Sequence, residues 1–240
     1  MCIRNWIDFF PDSSYHVLQV MKPLANSLLA FICCTLIACV NTKNIPMTKE
    51  HAALLKGHSM ASLPSHTPDF VAATRLKGTL GLMGVVGMVA EGNVIIHENN
   101  VEDPAQTIAA NLTKAIAGRY GIKMVNLTQK RGVDQSIAAL SKAGQEADYL
   151  IDVKTSSWGC MYYPTGWDKY YLIYTANLQL IDTRTQTVLC QGYFTAPRKD
   201  KENASSYTGL MENQAAGLKQ ELKSSTEQAI HFFKTEILGL

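Results

Sequence analysis

Six cysteines are the most reactive side chains in this 240-residue sequence. Cys39 stands out because it follows Leu36-Ile37-Ala38 at the end of an apolar run. The small Ala38 fits the narrow cleft of a signal peptidase, and Cys39 offers a thiol, a good nucleophile for covalent lipidation. Cys34 is a poorer choice, since bulky Ile32 and Cys33 precede it. Cys160 and Cys190 are the thiols left once Cys39 is modified. An oxidising compartment permits a disulfide between them, closing a loop of about 30 residues and contributing a few kcal/mol. Free buried thiols are the alternative. A second chemical signal is aromatic: Trp158, Tyr162, Tyr163 and Trp167 crowd the stretch SSWGCMYYPTGWDKYY, residues 156–171. Trp and Tyr join large contact area to a polar handle and dominate binding hot spots. These four are candidates for contacting a protein or glycan partner. Rings packing beneath a loop as a satellite core are the competing explanation.

The elements around Cys39 give it an address. Met21 and Lys22 start a short positive segment, and Leu24 to Ala38 is apolar apart from Asn26, Ser27 and Thr35. That run is too short to span a bilayer but suits the core of a signal peptide. Positive start, apolar run, small residue and cysteine, in that order, resemble the bacterial lipobox. Residues 21–38 are then a lipoprotein signal peptide, cleaved between Ala38 and Cys39. Residues 1–20 carry Asp8, Pro11 and Asp12 and read as a gene-model extension ahead of a true start at Met21. Two or three acyl chains would hold the protein on a bilayer, which one chain cannot do firmly. Val40 rather than Asp follows the cysteine, which by the sorting rule of enteric bacteria points to the outer membrane, with the domain facing the periplasm.

Composition excludes other classes. The chain is 47% hydrophobic, which supports a packed core and rules out a disordered chain. Lys and Arg number 22 against 20 Asp and Glu, with no long basic run, so no nucleic-acid footprint is present. The sequence contains no nucleophile elbow, zinc-protease pair, phosphate-cradling loop or dinucleotide fingerprint. No catalytic residue, metal site or cofactor is assigned. His51, His58 and His66 fall in a polar stretch. His97 precedes Glu98, an acid/base pair in principle, but it reads better as a strand end entering a polar loop.

Periodicity orders the remainder. Residues 39–70, rich in Asn, Thr, Ser and Pro, read as the lipidated cysteine and a flexible tether. Residues 71–92 form a Gly-rich apolar segment, with Gly78, Gly81, Gly84 and Gly87 every third residue. Close packing on another helix or copy, or an irregular apolar segment of the fold, would each explain the glycines. Residues 93–240 form the folded domain. Asn93–His97 reads as a strand. Asp103-Pro104 opens a helix with Ile108, Leu112 and Ile116 on one face and Gly121 as its stop. Ile122–Leu127 is a strand, 134–142 a helix, Tyr149–Lys154 a strand and 156–171 a loop. Leu172, Tyr174, Ala176, Leu178 and Leu180 share a strand face. Thr183–Gln186 turns into a partner strand, and Met211, Ala215, Leu218, Leu222, Ala229, Phe233 and Ile237 mark a long C-terminal amphipathic helix. The fold class is α/β (α+β): a mixed sheet in β-α-β-α-β-β-β-α order.

Two local patterns carry a resemblance. Ala147-Asp148-Tyr149-Leu150-Ile151 resembles the "G-A-D-Y-V-I" entry to a central strand, with Glu146 in the glycine's place. Leu178 to Leu189 (LQLIDTRTQTVL) resembles an "L-R-L-V-D-T-x-T-G-E-V-L" hairpin, with Gln186 where glycine is usual. Together with the element order, they make residues 93–240 similar to the periplasmic lipoprotein domains of the curli-secretion, penicillin-binding-protein-activator and TolB amino-terminal-like group. No segment looks like the long transmembrane hairpins of a curli-type pore. The resemblance implies a non-enzymatic envelope role in assembly, secretion or activation of a partner. The expected partners are the lipid bilayer through Cys39 and an envelope protein or glycan, with a homo-oligomer also open to the chain. Two rival readings are an envelope hydrolase or ligand-binding enzyme, with Asp152 or Asp168 meeting His97 or His231 in a cleft, and a structural subunit assembling through its glycines.

Overall fold

Unbroken burial from Tyr149 to Val153 marks the strand Tyr149–Tyr162 as the centre of the sheet, covered on both faces. The computed structural model describes residues 43–74, 81–127, 136–166 and 168–240, and all of them belong to one unit. Its strands are β1 (Ser59–Ser62), β2 (Phe70–Ala73), β3 (Lys123–Met124), β4 (Tyr149–Tyr162), β5 (Tyr170–Asp182) and β6 (Thr187–Thr195). The sheet runs β3-β1-β4-β5-β6, with β2 also on β4. β4 takes two parallel partners along one edge: β1 along Tyr149–Ile151 and β2 along Trp158–Met161. A register shift between Thr155 and Ser157 falls where the partner changes. An extra residue there bends the strand and lets it serve both neighbours. β5 and β6 add antiparallel. The mixed α/β sheet and long C-terminal helix are as the sequence predicts.

Helices cover both faces, and the period of two along β4 sorts the core between them. Tyr149, Ile151 and Val153 join the larger cluster, under α3 (Pro104–Tyr120) and α5 (Tyr207–Phe232). Leu150 points the other way, toward Leu140 and Ala143 of α4 (Ile137–Ala143). Helix α3 begins and ends as the sequence requires. The Asp103 side chain accepts from Ala105 N, Pro104 sits in the first turn, and Gly121 takes a left-handed φ of 66°. Ser136 caps α4, and Asp134 lies outside the described residues.

Several expectations change. The stretch taken for a tether is built into the fold from residue 43 onward. Ile45 exchanges backbone hydrogen bonds with Gln191 at 2.8 and 2.9 Å, Asn44 Oδ1 accepts from Tyr193 N at 2.7 Å, and Met47 N donates to Ile237 O at 2.7 Å. The bonds to Gln191 and Tyr193 close the outer edge of β6, which would otherwise present unpaired backbone, and the Met47 bond ties the same segment to the C-terminal turn. Helix α1 (Lys49–Leu54), β1 and β2 follow directly.

Asn93–His97 is helical, the last turns of α2 (Gly81–Glu98). Its β-branched run favours a strand locally, but packing on β2 decides: a Cβ at Gly92 would lie 1.9 Å from the Phe70 carbonyl oxygen, so helix and strand meet backbone to backbone. Gly81, Gly84 and Gly87 also lie on α2, and Gly78 is outside the described residues. The strand expected over Ile122–Leu127 shrinks to exposed Lys123–Met124.

The expected loop 156–171 is largely strand, since β4 continues to Tyr162. The C-terminal helix breaks at Glu212–Ala215, where Asn213, Gln214 and Ala215 have φ of 53°, 58° and 56°. The chain turns there so tightly that a Cβ on Gly217 would meet Gly209 O at 2.2 Å. The helix ends in a wider π-type turn, Phe233–Leu238.

Candidate functional site

Among the described residues, the aromatic candidates do not form an exposed patch. Trp158 is 1% exposed. Its Nε1 donates to Pro68 O at 2.9 Å, and its ring meets Phe70 edge-on at 5.1 Å. Trp158 is a core residue because β2, absent from the sequence-based reading, pairs alongside it. Tyr163 is buried, and its hydroxyl donates to Lys199 O. Tyr162 is half-buried, and Trp167 lies outside the described residues. Tyr170 packs on Tyr207 at 5.2 Å. Burial, in the main core for Trp158 and against the loop after β6 for Tyr163, therefore describes these two rings better than a partner-contacting patch does.

Ala38 and Cys39, with residues 1–38, lie outside the described residues. Cys160 and Cys190 are buried free thiols. Burial pushes each thiol up to about 12. Cys160 faces Leu172 of β5 and Cys190 faces Leu180. Eight residues along a strand put them about 27 Å apart, far beyond disulfide reach. Of the two states the sequence left open, the free thiols are observed.

The histidines are dispersed. His51 Nδ1 lies 2.9 Å from Leu189 O, and His97 and His231 stand exposed on α2 and α5. Asp168 accepts from Tyr207 N at 3.1 Å, and Asp152 is buried within β4. Among the described residues, no group of three or more His, Cys, Asp and Glu could hold a metal ion. The nearest thing to a hydrolytic set is His58, Ser59 and Asp148. Ser59 Oγ and N both donate to Asp148 Oδ2, at 2.7 and 2.9 Å, while His58 Nδ1 stands 3.4 Å from the same oxygen. The Ser59 hydrogen bonds hold the carboxyl below its ordinary value. A nucleophilic serine needs its hydroxyl against the imidazole, not the carboxylate. This trio fastens β1 to the entry of β4 instead.

A groove of about 610 Å³ lies between the start of α3 and the middle of α5. Glu102, Asp103 and Thr107 line one wall, and Lys219, Lys223 and Glu227 the other. The sequence placed Asp103 as a helix cap and missed this second role, because α5 supplies the facing wall from more than a hundred residues away. Asp103 is 8% exposed. Its Oδ1 accepts from Ala105 N at 3.0 Å and from Thr155 Oγ1, and Oδ2 has no partner. Behind it, Thr155 Oγ1 lies 3.5 Å from the Tyr174 hydroxyl. Burial raises the Tyr174 phenol, which stays protonated. A chain of three polar side chains thus runs from the sheet core to the groove. The groove holds both charge signs and no activated nucleophile, an arrangement that suits polar recognition.

No helix among the described residues is long and apolar enough to cross a membrane. No family profile matches the chain, and no curated protein matches it in sequence. Solved structures that align with it include the hypothetical protein CT253 from Chlamydia trachomatis, at 5% identity, over 73% of this chain and 95% of that one, with a TM-score of 0.38. A PelC dodecamer from Paraburkholderia phytofirmans aligns at 16% identity, over 77% and 95%, with a TM-score of 0.29. Lipoprotein GNA1162 from Neisseria meningitidis aligns at 15% identity, over 72% and 98%, with a TM-score of 0.27. At these TM-scores no functional statement rests on the likeness.

Proposed function

We propose that this protein is a lipid-anchored lipoprotein of the outer membrane whose periplasmic domain binds another envelope component, a protein or a glycan, in assembly, secretion or activation of that partner. The observation that carries the reading is Leu36-Ile37-Ala38-Cys39 behind a basic start and an apolar run. The groove between α3 and α5 supports it as the contact surface, being concave, mixed in charge and formed by rigid elements. The protein acts by binding and not by turnover.

Two measurements test this. Labelled palmitate should enter the wild-type chain and not Cys39→Ser; no incorporation overturns the anchor. Affinity capture from solubilised membranes should recover a partner, and the double change Lys219→Glu and Lys223→Glu should remove it without altering the melting temperature. Undiminished recovery would eliminate the groove as the contact surface.

A further inference from the structure

The aromatic segment holds a cation in place. Arg198 lies in the loop after β6, with its guanidinium carbon 4.2 Å from the ring centroid of Tyr163 and 3.8 Å from that of Tyr171. Those rings stand 4.9 Å apart, and the Tyr163 hydroxyl is tied to Lys199 O. Cation–π attraction to two fixed rings restricts a side chain that is otherwise long and mobile. With the two rings 4.9 Å apart and the guanidinium carbon close to both, the rings lie to one side of it, and its N–H groups on the other side are left to donate. None of the ion pairs among the described residues uses Arg198.

A cavity of about 190 Å³ opens beside it, lined by Arg198, Lys199, Glu221, Ser224 and Gln228 among others. Lys199 Nζ donates to Glu221 Oε1 and keeps two further N–H groups. Ser224 Oγ accepts from Gln228 Nε2 at 3.2 Å, which leaves its own O–H to donate. The charged lining, two cations and one carboxylate, is net positive.

We infer that this cavity binds a phosphate group, as a soluble phosphoester or a phospholipid headgroup. Four donor-bearing side chains surround it, and a tetrahedral phosphate offers acceptors in several directions where a planar carboxylate offers two in one plane. Arg198 is the principal ligand. Tyr163 and Tyr171 position it. The site is independent of the anchor at Cys39, and each can fail without the other.

The test is titration of the full chain carrying Cys39→Ser, followed through the Arg198 Nε–H and Ser224 amide resonances. The probes are glycerol 1-phosphate, monomeric dihexanoyl phosphatidylglycerol and acetate. Saturable shifts with the first identify a soluble phosphoester, and with the second alone a headgroup. Arg198→Gln should weaken binding roughly tenfold or more, the size of a lost charge-assisted hydrogen bond. Glu221→Gln, which removes the opposing charge, should tighten it. Absence of shifts with both phosphate probes, tighter binding of acetate, or unchanged affinity in Arg198→Gln would overturn the assignment. Circular dichroism establishes that each variant is folded.

Discussion

The Thr183 hydroxyl lies 2.6 Å from the carbonyl oxygen of Ala147 and 2.9 Å from that of Asp148, and it joins the two sequence patterns that look most diagnostic. Thr183 N also donates to Asp148 O at 3.0 Å. Asp182 Oδ1 accepts from the amides of Arg184 and Thr185, both at 3.0 Å, and shapes the turn. "Asp-Thr" after one strand and "Ala-Asp" before another are thus two halves of a single joint. Asp182 makes the turn, Thr183 clamps the neighbouring strand entry, and Asp148 fastens β1 beyond it.

Thr183→Val should therefore destabilise the protein by about 1 kcal/mol, the usual net value of a lost hydrogen bond. Urea denaturation would measure it, and an unchanged midpoint would show that the clamp contributes nothing.

Acid should loosen the same joint. The Ser59 hydroxyl and amide hold Asp148 below the ordinary carboxyl value. A depressed folded value stabilises the fold above the unfolded pKa, and the stabilisation is lost as pH falls through the folded one. Wild-type stability should decline below about pH 4, and Asp148→Asn should lower neutral-pH stability and flatten that decline. Parallel melting curves of the two proteins from pH 6 to pH 3 would contradict this.

Gln186 occupies the left-handed region with φ of 57° at the position where glycine is usual in such hairpins. A side chain there costs about 1–2 kcal/mol, part of which glycine returns as unfolded-state entropy. Gln186→Gly should raise stability by up to about 1 kcal/mol. A lowered melting temperature would show that the Gln186 side chain contributes something glycine cannot replace.

Trp158→Ala should lower stability by about 3–5 kcal/mol, because it empties a core site and leaves Pro68 O without its donor. Partner capture would then fail through unfolding and not through lost contact. A Trp158→Ala protein that melted like wild type yet lost its partner would restore Trp158 as a contact residue.

Cys160 and Cys190 should resist a maleimide in the folded protein and react in denaturant, as read by peptide mass spectrometry. Burial withholds both sulfurs, and thiols raised to about 12 form almost no thiolate near neutrality. Rapid labelling of either thiol without denaturant would indicate local opening of β4 or β6.

The sequence determined whatever depends on neighbours along the chain. Asp103-Pro104 and Gly121 bound α3, alternation from Leu172 to Leu180 set the inner face of β5, and Asp182-Thr183 marked the turn, since caps, side-chain alternation and turns act within a few residues. Tertiary structure decided what depends on distant partners. Residues 43–47 look like linker until the open edge of β6 supplies their hydrogen bonds. Val94-Ile95-Ile96 reads as strand until Gly92 brings its helix onto Phe70. Trp158 looks like surface until β2 pairs beside it. Neither the groove at Asp103 nor the cluster around Arg198 has a local signature, because each is assembled from segments far apart in the chain.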